Sequence, residues 1–326
     1  MGDVAMAAPV IQALINQYPD LKITIVTRTF FKPMFSDIKN VAVYAADLKG
    51  EHKGILGLYK LSKELKALNF DVVADLHNVL RSKILKFFFT GKKVIQIDKG
   101  RDAKKALISG KEFKQLKTTQ KRYADVFESL GFPLDLSQPI YPNKVDLSKY
   151  LKTFITDSSK KTIGIAPFAA HQGKMYPLAQ MKDVIKHLSK EYNIILFGGG
   201  KEETAILNKI EKEHQTVVSA AGKLSFEDEL SLISNLDVML SMDSGNGHLA
   251  AMYGVKVITI WGVTHPFAGF VPYNQSDEHQ LTANRDKYPL IPTSIYGNKY
   301  PEGYDNAAGS ISADEVVEKV KFVIPK

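Results

Sequence analysis

Residues 237–254 combine residue types and spacing that could bind a phosphate group. Their sequence is DVMLSMDSGNGHLAAMYG, in which apolar residues alternate with smaller ones from position 238 and predict a strand. Turn-forming and capping residues follow, and a helix is expected from His248 to Met252. The first N–H groups of a helix have no intrahelical partner, and the helix dipole favours negative charge there. The segment therefore predicts an anion site, the alternative being that Asp243 or Ser244 only caps the helix.

A wider pattern around this segment is similar to a known family. Asp-Ser-Gly-x-x-His-Leu-Ala-Ala is followed by a second apolar strand at 255–260 and then by Trp-Gly-Val-Thr-His-Pro. This order resembles the donor-binding segment of the ADP-heptose:lipopolysaccharide heptosyltransferases, glycosyltransferase family 9. The resemblance implies that the pyrophosphate of a nucleotide sugar is held by Asp243, Ser244, Gly245 and His248.

Three further motifs stand in the order that this family has. Gly2-Asp3-Val4 matches its opening loop, and Lys174 with Pro177 matches a lysine, a variable pair and a proline after the first strand of its second domain. Ala221–Ser225 is similar to a turn that lines the nucleotide site. The resemblance implies that Asp3 is the catalytic base and that the donor is also bound by Lys174, Gly222, Lys223 and Ser225.

The transfer of a sugar from a nucleotide requires stabilisation of the leaving diphosphate. A helix N-terminus and cations can do this without a metal ion, and Lys174 and His248 are the candidates. The chain has no cysteine, no HExxH and no Asp-x-Asp. We therefore expect metal-independent catalysis, with no metal site and no cofactor beyond an ADP-sugar donor. The alternatives are an ordinary surface lysine and a packed helix histidine.

An inverting transfer also needs a base for the acceptor hydroxyl, and a carboxylate such as Asp3 could serve. Asp3 could instead be the N-cap of the first helix, because aspartate is favoured at that position. The family's first strand normally precedes Gly-Asp, whereas this sequence opens at Met1. We therefore expect the first strand of the N-terminal domain to be missing, and an in-frame extension to encode apolar residues upstream.

Charge and composition favour an anionic partner. The formal net charge is +8, and a basic window from Lys99 to Arg122 contains few acids. The window is either solvated surface or a binding region for an anionic glycolipid acceptor, through Lys104, Lys105 and Lys111. Without a signal peptide or a long apolar run, a cytoplasmic protein is expected, with peripheral contact at the cytoplasmic face of the inner membrane and no nucleic acid partner.

Alternating strand and helix patterns predict the fold class. Strands at 21–27, 41–44, 71–76 and 93–97 alternate with helices, and a Pro-rich linker over 132–161 follows. A second βα series then begins, which includes a strand at 162–166 and a helix at about 226–234. With 326 residues, two cores are expected. The resemblance implies a GT-B fold, in which two Rossmann-like doubly wound α/β domains, 1–155 on the acceptor side and 156–311 on the nucleotide-sugar side, face each other across a cleft. A C-terminal helix within 312–326 is expected to pack back on the first domain.

The leading hypothesis is an inverting, metal-independent heptosyltransferase that transfers heptose from ADP-heptose to a lipopolysaccharide inner-core acceptor. One alternative is a sugar-nucleotide 2-epimerase, which also pairs two Rossmann-like domains. A third hypothesis is a nucleotide-binding relic without turnover.

Overall fold

The computed structural model describes residues 1–324 and has the predicted alternation of strands and helices. Its N-terminal part contains α1 (Gly2–Gln17), β1 (Ile23–Thr27), β2 (Val41–Ala45), α2 (Gly54–Lys66), β3 (Val72–Asp75), α3 (Leu80–Phe88), β4 (Lys93–Gln96), α4 (Arg101–Ile108) and α5 (Thr119–Ser129). The remainder contains α6 (Lys149–Lys152), β5 (Thr162–Ala166), α7 (Leu178–Leu188), β6 (Asn193–Leu196), α8 (Lys201–Glu211), β7 (Val217–Ser219), α9 (Phe226–Ser234), β8 (Val238–Met242), α10 (Gly245–Met252), β9 (Lys256–Trp261), β10 (Gln280–Thr282) and α11 (Ala313–Val323).

The chain divides into two compact units. The first comprises residues 1, 3–101 and 117–140, and the second comprises residues 2, 102–116 and 141–326. The expected boundary between the domains was at residue 155. The observed division differs from it, because residues 102–116 and 141–155 both group with the second unit. The basic window, expected on the acceptor side, is therefore split between the units.

The second unit is built on one six-stranded parallel sheet with the order β10-β9-β8-β5-β6-β7. Adjacent strands pair in parallel, with Ile163 beside Val238 and also beside Ile194. The chain winds outward from β5 through β6 and β7, and then from β8 through β9 and β10. The order reverses between β5 and β8, and ligands of doubly wound sheets bind beyond the carboxyl ends of strands at such a switch point.

The core of the second unit covers both faces of this sheet. β5 and β8 are buried along their whole length, as expected for central parallel strands between helical layers. α7 contributes Met181 and Ile185, and α11 contributes Val316 and Val320, to the same hydrophobic cluster. α11 thus packs in the core of the second unit, whereas the sequence expectation placed it on the first domain. The reason is the 3.6-residue spacing of its valines, which gives α11 an apolar stripe.

The first unit contains two separate two-stranded parallel sheets, β1-β2 and β3-β4. Ile23 lies beside Val41 in one of them and Val72 lies beside Lys93 in the other. The described residues of this unit therefore form no single continuous sheet. α1 is buried along most of its length, and α2 packs Leu58, Leu61 and Leu65 into a smaller apolar cluster.

The segment 102–116 lies in the second unit although it interrupts the sequence of the first. Leu107 and Leu116 are buried in a cluster with Ala268 and Ile295, and the Leu116 N–H donates to the Phe267 carbonyl at 2.9 Å. α4 within this segment was not predicted as a helix. Its few apolar residues do not form a long enough stripe to distinguish it from a solvated charge run.

Among residues 1–324, no helix is both long and apolar enough to cross a membrane. The longest, α1, has 16 residues.

Glu229 in α9 gives the second unit a pH-dependent stability. Burial raises the pKa of Glu229 to about 7. Since the unfolded pKa is lower, the protonated form stabilises the fold fully at acidic pH, and this contribution is lost as pH rises through about 7. Glu229→Gln is therefore expected to stabilise the protein by about 1 to 3 kcal/mol at pH 8 and by little at pH 4. Calorimetric unfolding at both pH values measures this, and an equal effect of Glu227→Gln, on an exposed neighbour, would contradict it.

Candidate functional site

The β8–α10 junction forms the centre of the site. β8 ends at Met242, and Ser244 is the N-cap of α10 in extended conformation, but its side chain makes no capping hydrogen bond. The Ser244 hydroxyl is buried and has no hydrogen-bond partner among residues 1–324. The interpretation of Ser244 as a simple cap is therefore wrong. The helix begins at Gly245 rather than at His248, so the unpaired N–H groups of its first turn directly follow the end of β8.

Asp243 binds two side chains from loops that follow neighbouring strands. Its Oδ2 accepts a hydrogen bond from the Thr264 hydroxyl at 2.9 Å and pairs with the Lys174 ammonium at 2.8 Å. The side chains of Lys174 and Asp243 are only 15% and 6% exposed. Thus Asp243 does not cap α10 either. It joins the loops after β5, β8 and β9 at the switch point of the sheet.

Lys174 retains capacity to bind a ligand although it is paired. An ammonium has three N–H donors, and Asp243 takes two of them, one on its carboxylate and one on its backbone oxygen at 3.2 Å. The third can reach an anion above the α10 N-terminus. The ion pair sets the position of the ammonium, and the helix start adds neutral N–H donors next to it.

Glycines make room for this arrangement. Gly297 has φ 75°, and a Cβ there would lie 2.5 Å from the Lys174 side chain. A Cβ at Gly262 would lie 2.2 Å from the Gly173 carbonyl oxygen, which accepts a hydrogen bond from the Val263 N–H at 2.8 Å. These contacts hold the short 3-10 turn that carries Lys174 against the loop after β9.

The turn after β7 contains the other three predicted donor-binding residues. Gly222 has φ 71°, which favours glycine, and Lys223 pairs with both oxygens of Glu211 at 2.8 and 2.9 Å. Ser225 is the N-cap of α9 and accepts a hydrogen bond from the Asp228 N–H at 3.1 Å. All three have structural contacts of their own. The turn follows β7, which is an edge strand of the sheet, whereas Lys174 and Asp243 follow the central strands β5 and β8. All three segments lie at the carboxyl ends of strands of the same sheet.

The loop after β6 was missed by the sequence analysis. Gly198, Gly199 and Gly200 lie at the carboxyl edge between the ends of β5 and β7, and the Gly199 N–H donates to Glu203 at 2.8 Å. Gly200 has φ 81°, a conformation that other residues rarely adopt. The run of three glycines before a helix was the available signal. Thr264 was also not singled out, although it lies in the Gly-Val-Thr-His-Pro motif.

Two histidines of the motif region are buried. His248 lies within the first turn of α10. His265 contacts the rings of Phe113 and Phe267, and burial, with Arg285 nearby, lowers the pKa of His265 to about 4. His265 is therefore neutral at physiological pH. The Arg285 guanidinium lies 3.6 Å from the Phe113 ring centroid, so this cluster anchors the 102–116 segment within the second unit.

The three lysines proposed for acceptor binding lie on or just after α4. Lys105 and Lys111 are exposed, whereas Lys104 is partly buried with its ammonium 4.2 Å from the Phe270 ring centroid.

Asp3 lies in the first turn of α1 in the first unit, not at its N-cap. The N-cap is Met1, and no side-chain capping bond is formed there. The interpretation of Asp3 as a capping residue is therefore wrong, because the helix begins two residues earlier than expected. The Asp3 carboxylate is 63% exposed and lies 3.9 Å from the His77 imidazole. The Tyr123 hydroxyl donates to the Asp3 carbonyl at 3.3 Å.

One cluster in the described part of the chain has the composition of a metal site, and it lies in the first unit. It consists of Glu51, His52 and Glu64. His52 Nδ1 accepts from the Asp47 N–H at 3.0 Å, which places the ring proton on Nε2, where Glu64 accepts it at 2.9 Å. Both ring nitrogens are satisfied by the protein, so the cluster is explained as a hydrogen-bond network.

Comparison with known proteins identifies the family and the fold. The chain is 27% identical to the lipopolysaccharide core heptosyltransferase OpsX of Haemophilus influenzae, over 85% of this chain and 80% of that protein. Its structure is similar to a glycosyl transferase of family 9 from Veillonella parvula, with TM-score 0.75, 18% identity and coverage of 99% and 94% of the two chains. It is also similar to E. coli heptosyltransferase WaaC with ADP, with TM-score 0.68, 18% identity and coverage of 99% and 97%.

A more distant likeness bears on metals. The iron-containing dodecameric glycosyltransferase TibC of enterotoxigenic E. coli aligns with TM-score 0.54 and 12% identity, over 99% of this chain and 73% of that one. A solved protein of similar fold is thus described as iron-containing.

A family model supplies the assignment. The model of glycosyltransferase family 9 (heptosyltransferase) matches residues 58–294, which include Lys174, the turn after β7 and the β8–α10 junction. The structural likenesses confirm the predicted pairing of two α/β units with parallel sheets. The chain therefore belongs to glycosyltransferase family 9, and it is a glycosyltransferase.

Proposed function

We propose that this enzyme transfers heptose from ADP-heptose to a lipopolysaccharide inner-core acceptor, with inversion and without a metal ion. The observation that carries the proposal is the Lys174–Asp243 pair beside the start of α10, at the switch point of a sheet in the order typical of nucleotide-binding domains. The name of the Haemophilus relative and the ADP bound to WaaC support the choice of acceptor and donor.

The donor diphosphate lies over the start of α10 in this proposal. The Lys174 ammonium, the Ser244 hydroxyl and the first N–H groups of α10 stabilise its charge as the glycosidic bond breaks. Gly222, Lys223 and Ser225 line the nucleotide part, and the buried His248 supports the phosphate end. Asp3 accepts the proton of the acceptor hydroxyl, and its carboxylate is exposed and therefore accessible for that purpose.

The reaction itself tests the proposal. ADP-heptose is incubated with a heptose-free inner-core glycolipid, and ADP and glycosylated product are both quantified. Equal amounts of the two products are expected, with the opposite anomeric configuration at the new bond. UDP-N-acetylglucosamine supplied alone tests the epimerase alternative. Epimerisation there, or ADP binding with no product from any heptose acceptor, would overturn the proposal.

Turnover is expected to persist in excess EDTA. The Lys174 ammonium and the helix start supply the positive charge that a divalent ion supplies to the diphosphate in a metal-dependent enzyme. Steady-state rates before and after chelation measure this. A complete loss that a divalent ion restores would show that the metal-free mechanism is wrong.

Reversing the charge of three lysines in the segment 102–116 is expected to weaken acceptor binding. Changing Lys104, Lys105 and Lys111 to glutamate should raise the acceptor KM by about tenfold at low salt, with less effect at high salt and an unchanged donor KM. The control has the same changes at three lysines far from the segment in sequence, Lys152, Lys186 and Lys190. Equal effects of the two triple variants would show that the segment is only solvated surface.

A further inference from the structure

An exposed apolar face lies on two neighbouring helices of the first unit. On α2 it comprises Ile55, Leu56 and Tyr59, and on α3 it comprises Leu80 and Phe87. Leu56 is 83%, Phe87 79% and Leu80 74% exposed. These side chains are therefore surface residues and not partly covered members of the core. We call these five residues the α2–α3 face.

The two helices present this face side by side. The Tyr59 ring packs edge-on against Phe88 with centroids 5.3 Å apart, and Phe88 contacts Phe87 at 5.8 Å. α2 turns its other side inward through Leu58, Leu61 and Leu65. α3 has no fully buried residue. Its Ile84, Leu85 and Phe88 pack against the apolar cluster of the first unit, whereas Leu80 and Phe87 lie on its exposed side.

Cations are interleaved with these apolar side chains. α3 contains Arg81, Lys83 and Lys86 and no acidic residue. On α2 the Lys63 ammonium lies 4.6 Å from the Tyr59 ring centroid. The one acid of α2, Glu64, is engaged by His52 and Tyr44.

This composition favours a lipid surface over a protein partner. Protein interfaces are depleted in lysine at their centres, whereas helices that lie in a membrane interface combine lysine with leucine and phenylalanine. Tyr59, with an apolar ring and a polar tip beside a lysine, is typical of the headgroup level.

We propose that the α2–α3 face docks on an anionic bilayer, with Leu56 and Phe87 inserted among the acyl chains and Lys63 and Lys83 at the headgroups. The proposal rests on the proposed function in one respect, because a glycolipid acceptor is presented at such a surface. In this proposal the membrane is contacted by α2 and α3 of the first unit and not by the segment 102–116 of the second.

Vesicle sedimentation tests the proposal with the full chain. The vesicles contain either phosphatidylcholine alone or phosphatidylcholine with phosphatidylglycerol. The wild type is expected to bind the anionic vesicles, with binding that falls as salt rises. Leu56→Gln/Phe87→Gln and Lys63→Gln/Lys83→Gln are each expected to lower the partition coefficient by about tenfold or more. The matched control, Leu290→Gln/Phe322→Gln, changes exposed apolar residues of the second unit and should bind like the wild type.

A second measurement separates this proposal from the proposed function. Turnover of a delipidated, water-soluble acceptor is expected to be unchanged in both face variants, because the face is not part of the catalytic machinery. Wild-type transfer to that acceptor without vesicle binding would overturn the docking face and leave the function standing. Vesicle binding lost in the face variants, with no transfer by any protein, would overturn the function alone. Self-association abolished by Leu56→Gln/Phe87→Gln, without vesicle binding, would also overturn lipid docking.

Discussion

Lys174→Met is expected to raise the Kd of ADP by about 10- to 100-fold, since a charge-assisted hydrogen bond to phosphate contributes about 1.5 to 3 kcal/mol. It is expected to lower kcat by about 10² to 10³, because the ammonium stabilises the leaving diphosphate as its charge develops. Calorimetry with ADP and steady-state kinetics with the ADP-sugar measure the two effects. Lys174→Arg should recover only part of the rate, because Gly297 packs closely on the lysine stem.

Removing Lys174 also leaves the buried Asp243 carboxylate without its cation. The resulting loss of stability must be separated from the loss of ADP binding. Breaking such a pair destabilises a fold by about 3 to 5 kcal/mol. The double variant Lys174→Met/Asp243→Asn removes the unpaired charge and should recover much of the stability but not the ADP affinity. Lys182→Met, which breaks the more exposed pair with Glu213, is the control. Recovery of wild-type affinity in the double variant would show that Lys174 acts only through Asp243.

Asp3→Asn is expected to lower turnover by about 10² to 10⁴, the usual span for loss of a general base, while ADP affinity stays unchanged. Stability should change little, because Asp3 makes no capping hydrogen bond, and its interactions with the helix dipole and with His77 are solvent-exposed. Single-turnover kinetics and thermal unfolding measure the two effects.

His77→Gln distinguishes the carboxylate from its neighbour. The imidazole lies 3.9 Å from Asp3, and a supporting histidine should cost less turnover than the base itself. An Asp3→Asn enzyme with wild-type turnover, beside a His77→Gln enzyme that is inactive, would transfer the role of base to the histidine.

Local patterns were sufficient to predict the elements around the site. β5 and α9 begin and end at the residues that their patterns predicted, because a fully apolar strand and a serine-capped amphipathic helix are specified within a few residues. The start of α10 was misplaced by three residues. Glycines at its first and third positions obscured the helical pattern, although Gly247 is needed there because a Cβ would lie 2.6 Å from the Ser241 hydroxyl.

Contacts between distant parts of the sequence could not be predicted in this way. The partner of Lys174 is 69 residues away in sequence, and no local pattern says that Asp243 holds a cation rather than caps a helix. The placement of Leu107 and Leu116 in the second unit depends on an apolar recess that other loops build. The separation of β1-β2 from β3-β4 likewise depends on tertiary packing, since each strand has an ordinary strand pattern.

The position of Leu107 and Leu116 in the second unit determines how the protein can be divided. Apart from the placement of residue 2, the backbone passes from one unit to the other at residues 101–102, 116–117 and 140–141, so no single peptide bond separates them. A fragment that begins at Tyr141 would contain the whole six-stranded sheet and yet expose Ala268 and Ile295, which those two leucines cover. An autonomous fragment of the second unit therefore requires residues 102–116, supplied as a peptide or joined by a new linker.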